Sequence, residues 1–256
     1  MNFTHVSRVQ TEGDRHVMED ACGYRANAAW MIDGATSLLD ELDLPGASNP
    51  SWYAQVLGLA LAESVGPKNP RTVLAAALAK VDELGHHLVG PESQRFPSAA
   101  VSLVTTDDDG ALSVLSLADC HVVAALNGGG VRHVGQALDT SSSLDELRQA
   151  KRARNTAEGV WVARREPAAA EHARLVTLEP AHTVALASDG AWRAIDLGLV
   201  SGPEEFLEAV QTPMGAQELM LMLRTTQNEI GESADDASIC ASHWRSVSGS
   251  SIEAER

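Results

Sequence analysis

Cysteine is scarce and unpatterned. The three present, Cys22, Cys120 and Cys240, lie far apart and form no Cys-x-x-Cys pair. That leaves no basis for a structural zinc site or a disulfide framework, and buried free thiols in a reducing compartment are the expectation. Positive charge is short as well: 19 Lys and Arg stand against 35 Asp and Glu, a formal net charge of −16. Such a field repels nucleic-acid backbones and anionic membrane surfaces, so neither is expected as a partner. An anionic substrate would need local cations to outweigh it. No apolar run is long enough to span a bilayer, and the opening MNFTHVSRVQ carries no apolar signal region. A cytoplasmic location is therefore expected. Internal repeats and linker-like stretches are missing too.

What is there suits a soluble domain. The 256 residues are 44% hydrophobic and 21% charged, enough to bury a full core. Phe3 to Val9, Ala21 to Arg25 and Ala28 to Ile32 read as short strands, followed by a Pro- and Gly-containing loop. Two helices come next, one over Ser51 to Val65 and one capped by Asn69 with Pro70 at its first position. Val73, Ala77, Val81 and Leu84 form its apolar stripe. From Ser98 the pattern changes to AAVSLVTT, ALSVLSLA and HVVAALNGGGVRHV, short Val- and Leu-rich runs separated by tight turns, as in consecutive antiparallel strands. A charged helix is expected from Ser143 to about Thr156, a strand over Thr183 to Ser188, helices from Pro203 and over Gly215 to Ile230, and a last strand in ASICASHW. The stretch WVARREPAAAEHARLVTLEP reads as loop or short helix running into a strand. Strands and helices are grouped and do not alternate, so the expected class is α+β: a two-sheet antiparallel sandwich flanked by helices, in one domain over residues 1–246 with a polar tail over 247–256.

Acidic residues recur where buried strands end. Asp33 closes AAWMID before Gly34, and Asp189 closes VALASD before Gly190. Asp119 lies between two apolar strands, and Asp235 and Asp236 precede the last one. A buried carboxylate must be paired, protonated or given a metal. A glycine beside it lets backbone approach closely, and carboxylate and carbonyl oxygens suit hard ions such as Mg²⁺ or Mn²⁺. Taken singly, each site reads more readily as a turn. Their coincidence in one domain points to a metal cluster. Glu19 and Asp20 form a further acidic pair, with Arg15 four residues before Glu19, its guanidinium suited to phosphate.

In their order these motifs resemble those of the metal-dependent protein serine/threonine phosphatases of type 2C. RHVMEDA is similar to the first motif of that family, which places Arg15 as the phosphate-binding arginine and Glu19 and Asp20 as its acidic pair. IDGATS resembles the Asp-Gly metal motif, which implies Asp33 as a carboxylate bridging two metals and Gly34 as a carbonyl ligand. Asp119 matches an aspartate of the outer shell or of a third metal site, Asp189 a metal ligand, and DDAS the final motif, with Asp235 as ligand and Asp236 at a position usually Asn. The resemblance covers residues 15 to 238 and implies a β-sandwich, two divalent cations (Mg or Mn), an activated water and a phosphorylated protein substrate.

Several positions depart from that pattern. Ala35 and Thr36 follow Asp33-Gly34 where eukaryotic members carry a His, and Arg193 stands where an acid often helps to hold a third metal. His16 and His121 lie near motifs but read as structural. Arg164 and Arg165, in the variable region from Leu138 to Arg174, read equally as phosphopeptide contacts or as a solvated loop. Three functions follow: a protein phosphatase, a phosphatase for a small phosphorylated metabolite, and a weakly active sensor that binds a phosphorylated partner. The oligomeric state is left open.

Overall fold

The computed structural model describes residues 2–14, 17–66, 69–107, 109–136 and 143–245, with residues 2–6, 244 and 245 by backbone alone. In chain order these form β1 (Asn2–Thr11), β2 (Ala21–Arg25), β3 (Ala28–Gly34), α1 (Asn49–Ser64), α2 (Pro70–Val89), β4 (Ala99–Thr106), β5 (Leu112–Leu117), β6 (His121–Leu126) and β7 (Val131–Val134). They continue with α3 (Leu144–Ala153), α4 (Ala169–His172), β8 (Arg174–Leu178), β9 (Ala181–Ala187), α5 (Asp189–Asp196), α6 (Pro203–Val210), α7 (Pro213–Ile230) and β10 (Ala237–Arg245). The expected tail falls outside the described residues, as do Arg15 and His16.

Two five-stranded antiparallel sheets result, ordered β1-β10-β9-β6-β7 and β2-β3-β4-β5-β8. Side-chain alternation sorts each strand between two cores. Along β3, Trp30 and Ile32 pack with Tyr53, Leu57, Leu74 and Leu78 of α1 and α2. Ala29 and Met31 turn the other way and meet Val122, Val184, Leu186 and Cys240 between the sheets. Outside the other sheet, Val123, Ala185 and Ile239 pack under Phe206, Met220 and Leu223 of α6 and α7. The layers are therefore helix, sheet, sheet, helix, which is the expected α+β sandwich. All three cysteines are free and buried between the sheets, also as expected.

Caps decide the boundaries. Asn69 accepts from the Arg71 N–H at 2.9 Å and Pro70 opens α2, as read from sequence. The first helix begins earlier than Ser51, because the Ser48 hydroxyl accepts from the Ser51 N–H at 3.2 Å. The last begins before Gly215, with Thr212 as the cap and Pro213 at the first position. The charged helix α3 starts at a capping box of Ser143 and Glu146 but stops at Ala153, ahead of the expected Thr156. Asn155 there takes φ 59°, which a helix cannot continue through. The ambiguous stretch after Trp161 divides into a bridge between Ala163 and Ala99, the short α4 and the edge strand β8.

Candidate active site

The alternation that builds the inner core also aims the acids. Asp33 continues the inner face of Ala29 and Met31 at the end of β3, and Asp20 precedes Cys22 on the inner face of β2. Ser188 follows Val184 and Leu186 at the end of β9, so the next residue, Asp189, opens α5 at the mouth of the sandwich. Asp119 sits in the turn between β5 and β6, after Ala118 at φ 70°. Asp235 lies in the loop before β10, where Arg224 of α7 donates to the carbonyls of Asp235 (2.6 Å) and Thr11 (3.0 Å).

Close backbone approach explains both Asp-Gly pairs. A Cβ at Gly34 would overlap the Glu19 carbonyl oxygen, and one at Gly190 would overlap that of Asp236. Each glycine is thus the point where a second acid-bearing segment passes the first.

These segments enclose a cleft of about 150 Å³ lined by Asp33, Gly34, Asp119, Asp189, Asp235 and Arg154, among others. The Asp189 N–H donates to Asp33 Oδ2 at 3.3 Å. Glu19 and Asp20 are buried beside it, and the Ser48 hydroxyl donates to Glu19 Oε1 at 2.8 Å. A larger groove of about 690 Å³ runs between Leu38–Asp40 and α3. Its lining mixes Arg95, Arg148 and Arg152 with Asp40, Glu92 and Asp145 and gathers no buried charge of one sign.

Burial and mutual repulsion raise the carboxyls of Asp20, Asp33, Asp119 and Asp189 above the usual carboxylate range. Burial is the largest cause throughout. It pushes Asp33 up, reinforced by Asp20, Asp189 and Asp119. It takes Asp20 to about 7, against relief from the Ser238 hydroxyl and with Asp236 adding to the rise. Asp119 is pushed up to about 6, with Asp189 contributing, and Asp189 is raised as well, with Asp235 contributing. Asp20 Oδ2 is fully buried and has no hydrogen-bond partner among the described residues. An all-oxygen donor set, strained by its own charge and holding an unsatisfied buried oxygen, fits hard divalent cations. No three His, Cys, Asp or Glu side chains among the described residues converge tightly enough to hold an ion alone.

Of the residues singled out in the sequence, Asp33, Gly34, Asp119, Asp189 and Asp235 come together at the cleft, and Arg15 lies outside the described residues. Asp236 does something else: its carboxylate accepts the N–H groups of Gly13 (2.8 Å) and Glu19, pinning the segment that carries the acidic pair. Arg193 points away from the cleft and is held by Glu232 through Nε (2.9 Å) and Nη2 (2.7 Å). His121 stacks on Trp192 with centroids 4.2 Å apart and shares a 2.9 Å hydrogen bond with His133, so it is structural as read.

Arg164 and Arg165 correct the solvated-loop and phosphopeptide readings alike. Both are buried. Arg164 pairs with Glu166 at 2.7 Å. Arg165 pairs with Asp82 at 2.6 Å and donates to the carbonyls of Gly90 and Glu92. Arg154, unmarked in the sequence among the charges of its helix, lines the cleft instead.

Two antiparallel sheets face to face, helices outside each, and a cluster of acids at one end of the sandwich define the fold of the metal-dependent serine/threonine phosphatases, the PPM or type 2C class. The serine/threonine phosphatase PstP/Ppp of Mycobacterium tuberculosis is similar over 96% of this chain and 100% of its own, with a TM-score of 0.62 and 14% identity. The PPM Ser-Thr phosphatase MsPP of Mycobacterium smegmatis, solved in complex with cacodylate, is similar over 96% and 100%, with a TM-score of 0.57 and 13% identity. PppA, a key regulatory component of T6SS in Pseudomonas aeruginosa, is similar over 95% and 99%, with a TM-score of 0.53 and 15% identity. No protein-family profile matches the chain, and no curated protein matches it in sequence. No helix among the described residues is long and apolar enough to cross a membrane.

Proposed function

We propose that the chain is a metal-dependent phosphomonoester hydrolase acting on phosphoserine and phosphothreonine in cytoplasmic proteins, with residues 1–246 as one catalytic domain. The observation that carries this reading is the cleft itself. Asp33, Asp119 and Asp189 are held together there with their acidities suppressed by burial and by one another, an arrangement that bound divalent cations would complete. Asp33, the Gly34 carbonyl, Asp189 and Asp235 would hold two Mg²⁺ or Mn²⁺ ions. When bound, such a pair supplies Lewis-acid activation of water and neutralises the phosphate. The residues of the chain do the rest. Arg15 would hold phosphoryl oxygens, and the Asp236 carboxylate keeps the segment bearing Glu19 and Asp20 against Gly34. No His lines the cleft among the described residues, so the leaving-group proton would come from water or from another residue.

The test is hydrolysis of para-nitrophenyl phosphate with Mn²⁺, with chelator, and in Asp33→Asn and Asp189→Asn. Activity should require the metal and fall at least about 100-fold in each variant, the scale on which electrostatic stabilisation of a transition state is lost. Activity that ignores chelator or survives both substitutions sinks the reading. The missing His favours one alternative, a phosphoprotein-binding sensor with little turnover. Mn²⁺ binding without hydrolysis of any phosphopeptide would select it.

A further inference from the structure

Arg154 is the one cation lining the acidic cleft among the described residues, and its placement is over-determined. It caps the C-terminal end of α3, its N–H donating to the Lys151 carbonyl at 3.3 Å. Its own carbonyl accepts from Arg164 Nη2 at 3.2 Å. The next residue, Asn155, exchanges hydrogen bonds with the Val162 backbone (2.8 and 3.1 Å) and donates to Glu166 at 2.8 Å. These part-buried polar contacts fix the backbone from which the guanidinium projects.

The guanidinium is underused for a half-buried group. Nη1 donates to Ser98 Oγ at 2.7 Å, and this is its only hydrogen bond among the described residues. No carboxylate there lies within ion-pair distance, although the charge of Asp119 acts on it. Ser98 also accepts the Ala35 N–H through its carbonyl at 2.9 Å, which ties the arginine to the backbone just after Asp33-Gly34. A guanidinium has five N–H donors, and a phosphoryl group offers oxygens that its fork matches in pairs. Repulsion from a net charge of −16 makes a fixed cation at this spot valuable to a dianionic substrate.

We infer that Arg154 is a second substrate-binding arginine, contributed by the end of α3, whose free donors take the phosphoryl oxygens of the phosphomonoester beside Asp119. This rests on the metal-centre reading above. The competing role is a counter-ion that merely quiets the acids.

Kinetics on para-nitrophenyl phosphate and calorimetry of inorganic phosphate and of Mn²⁺ separate the two, using the full chain as wild type, Arg154→Ala, Arg154→Lys and the exposed control Arg152→Ala. Losing charged hydrogen bonds should raise KM and weaken phosphate binding to the Mn²⁺-loaded protein by about 10- to 100-fold in Arg154→Ala. Mn²⁺ affinity should hold, Arg154→Lys should recover part of the loss, and Arg152→Ala should match wild type. Unchanged KM and phosphate affinity in a folded Arg154→Ala overturn the assignment. So does a shift in Mn²⁺ affinity that accounts for the whole effect, the signature of a counter-ion. An Arg154→Ala that does not fold hands the decision to Arg154→Lys, which must then show weakened phosphate binding with an unshifted Mn²⁺ titration. A wild-type chain that binds no Mn²⁺ is a separate outcome: it overturns the metal-centre reading, and the Arg154 assignment falls with it.

Discussion

Asp20→Asn is expected to stabilise the metal-free protein while weakening its response to metal. Asp20 is buried, and burial, with Asp236 and Asp189 beside it, pushes its carboxyl from 3.8 up to about 7. Between those values the folded chain keeps a proton that the unfolded chain has released, so native stability falls as pH rises through that window. Above about pH 7 the penalty is fully present. At about 1.4 kcal/mol per pH unit it comes to about 4 kcal/mol. Asparagine removes the charge with little change in volume. For a chain of this length each kcal/mol moves the melting temperature by about 2–4 °C, so the variant should melt on the order of 10 °C higher than wild type in chelator at about pH 8. Near pH 5.5 about half of that gap should remain, and the two should converge only as the pH approaches about 4. Thermal unfolding followed by circular dichroism, across that pH range and with or without saturating Mn²⁺, reads all of this. Wild type should gain more from Mn²⁺ than the variant. The reasoning is refuted if Asp20→Asn melts at or below wild type at pH 8 in chelator, or if the wild-type melting temperature does not fall between pH 5.5 and 8.

Gly190→Ala should lower the urea midpoint, because the added Cβ would overlap the backbone carbonyl of Asp236, which cannot swing aside. Overpacking of this kind costs about 1–3 kcal/mol or more, and Mn²⁺ affinity should fall with it, since the displaced segment carries Asp235. Arg193→Ala should cost no more than about 1 kcal/mol, because the bridge to Glu232 is partly exposed. It should leave Mn²⁺ binding untouched in a calorimetric titration. A tenfold change would mean that Arg193 acts on the cleft after all.

Much of the fold is legible in the chain. Short continuous apolar runs such as AAWMID and VALASD mark strands, and Pro70 after Asn69 marks a helix start, because these signals act between near neighbours. The boundaries that shifted did so through side-chain caps at Ser48 and Thr212, which compete with other serines and threonines close by. The stretch after Trp161 stayed ambiguous because its pairing partner, Ala99, is remote. The acids at the site were legible for a related reason: each stands at the edge of an apolar run.

By itself, then, the sequence determined which side chains face inward and that charge stands at strand ends, since alternation and chain reversal are local properties of the backbone. Only the tertiary structure decided which acids share one cleft, that Asp235 enters it while Asp236 holds a loop, and that Arg154 enters it while Arg164, Arg165 and Arg193 are occupied elsewhere. A charge is placed by the partners that desolvate and pair it: Glu166 holds Arg164, Asp82 of α2 holds Arg165 and Glu232 beyond α7 holds Arg193, while the ends of β3, β9 and α3 bring Asp33, Asp189 and Arg154 to one cleft.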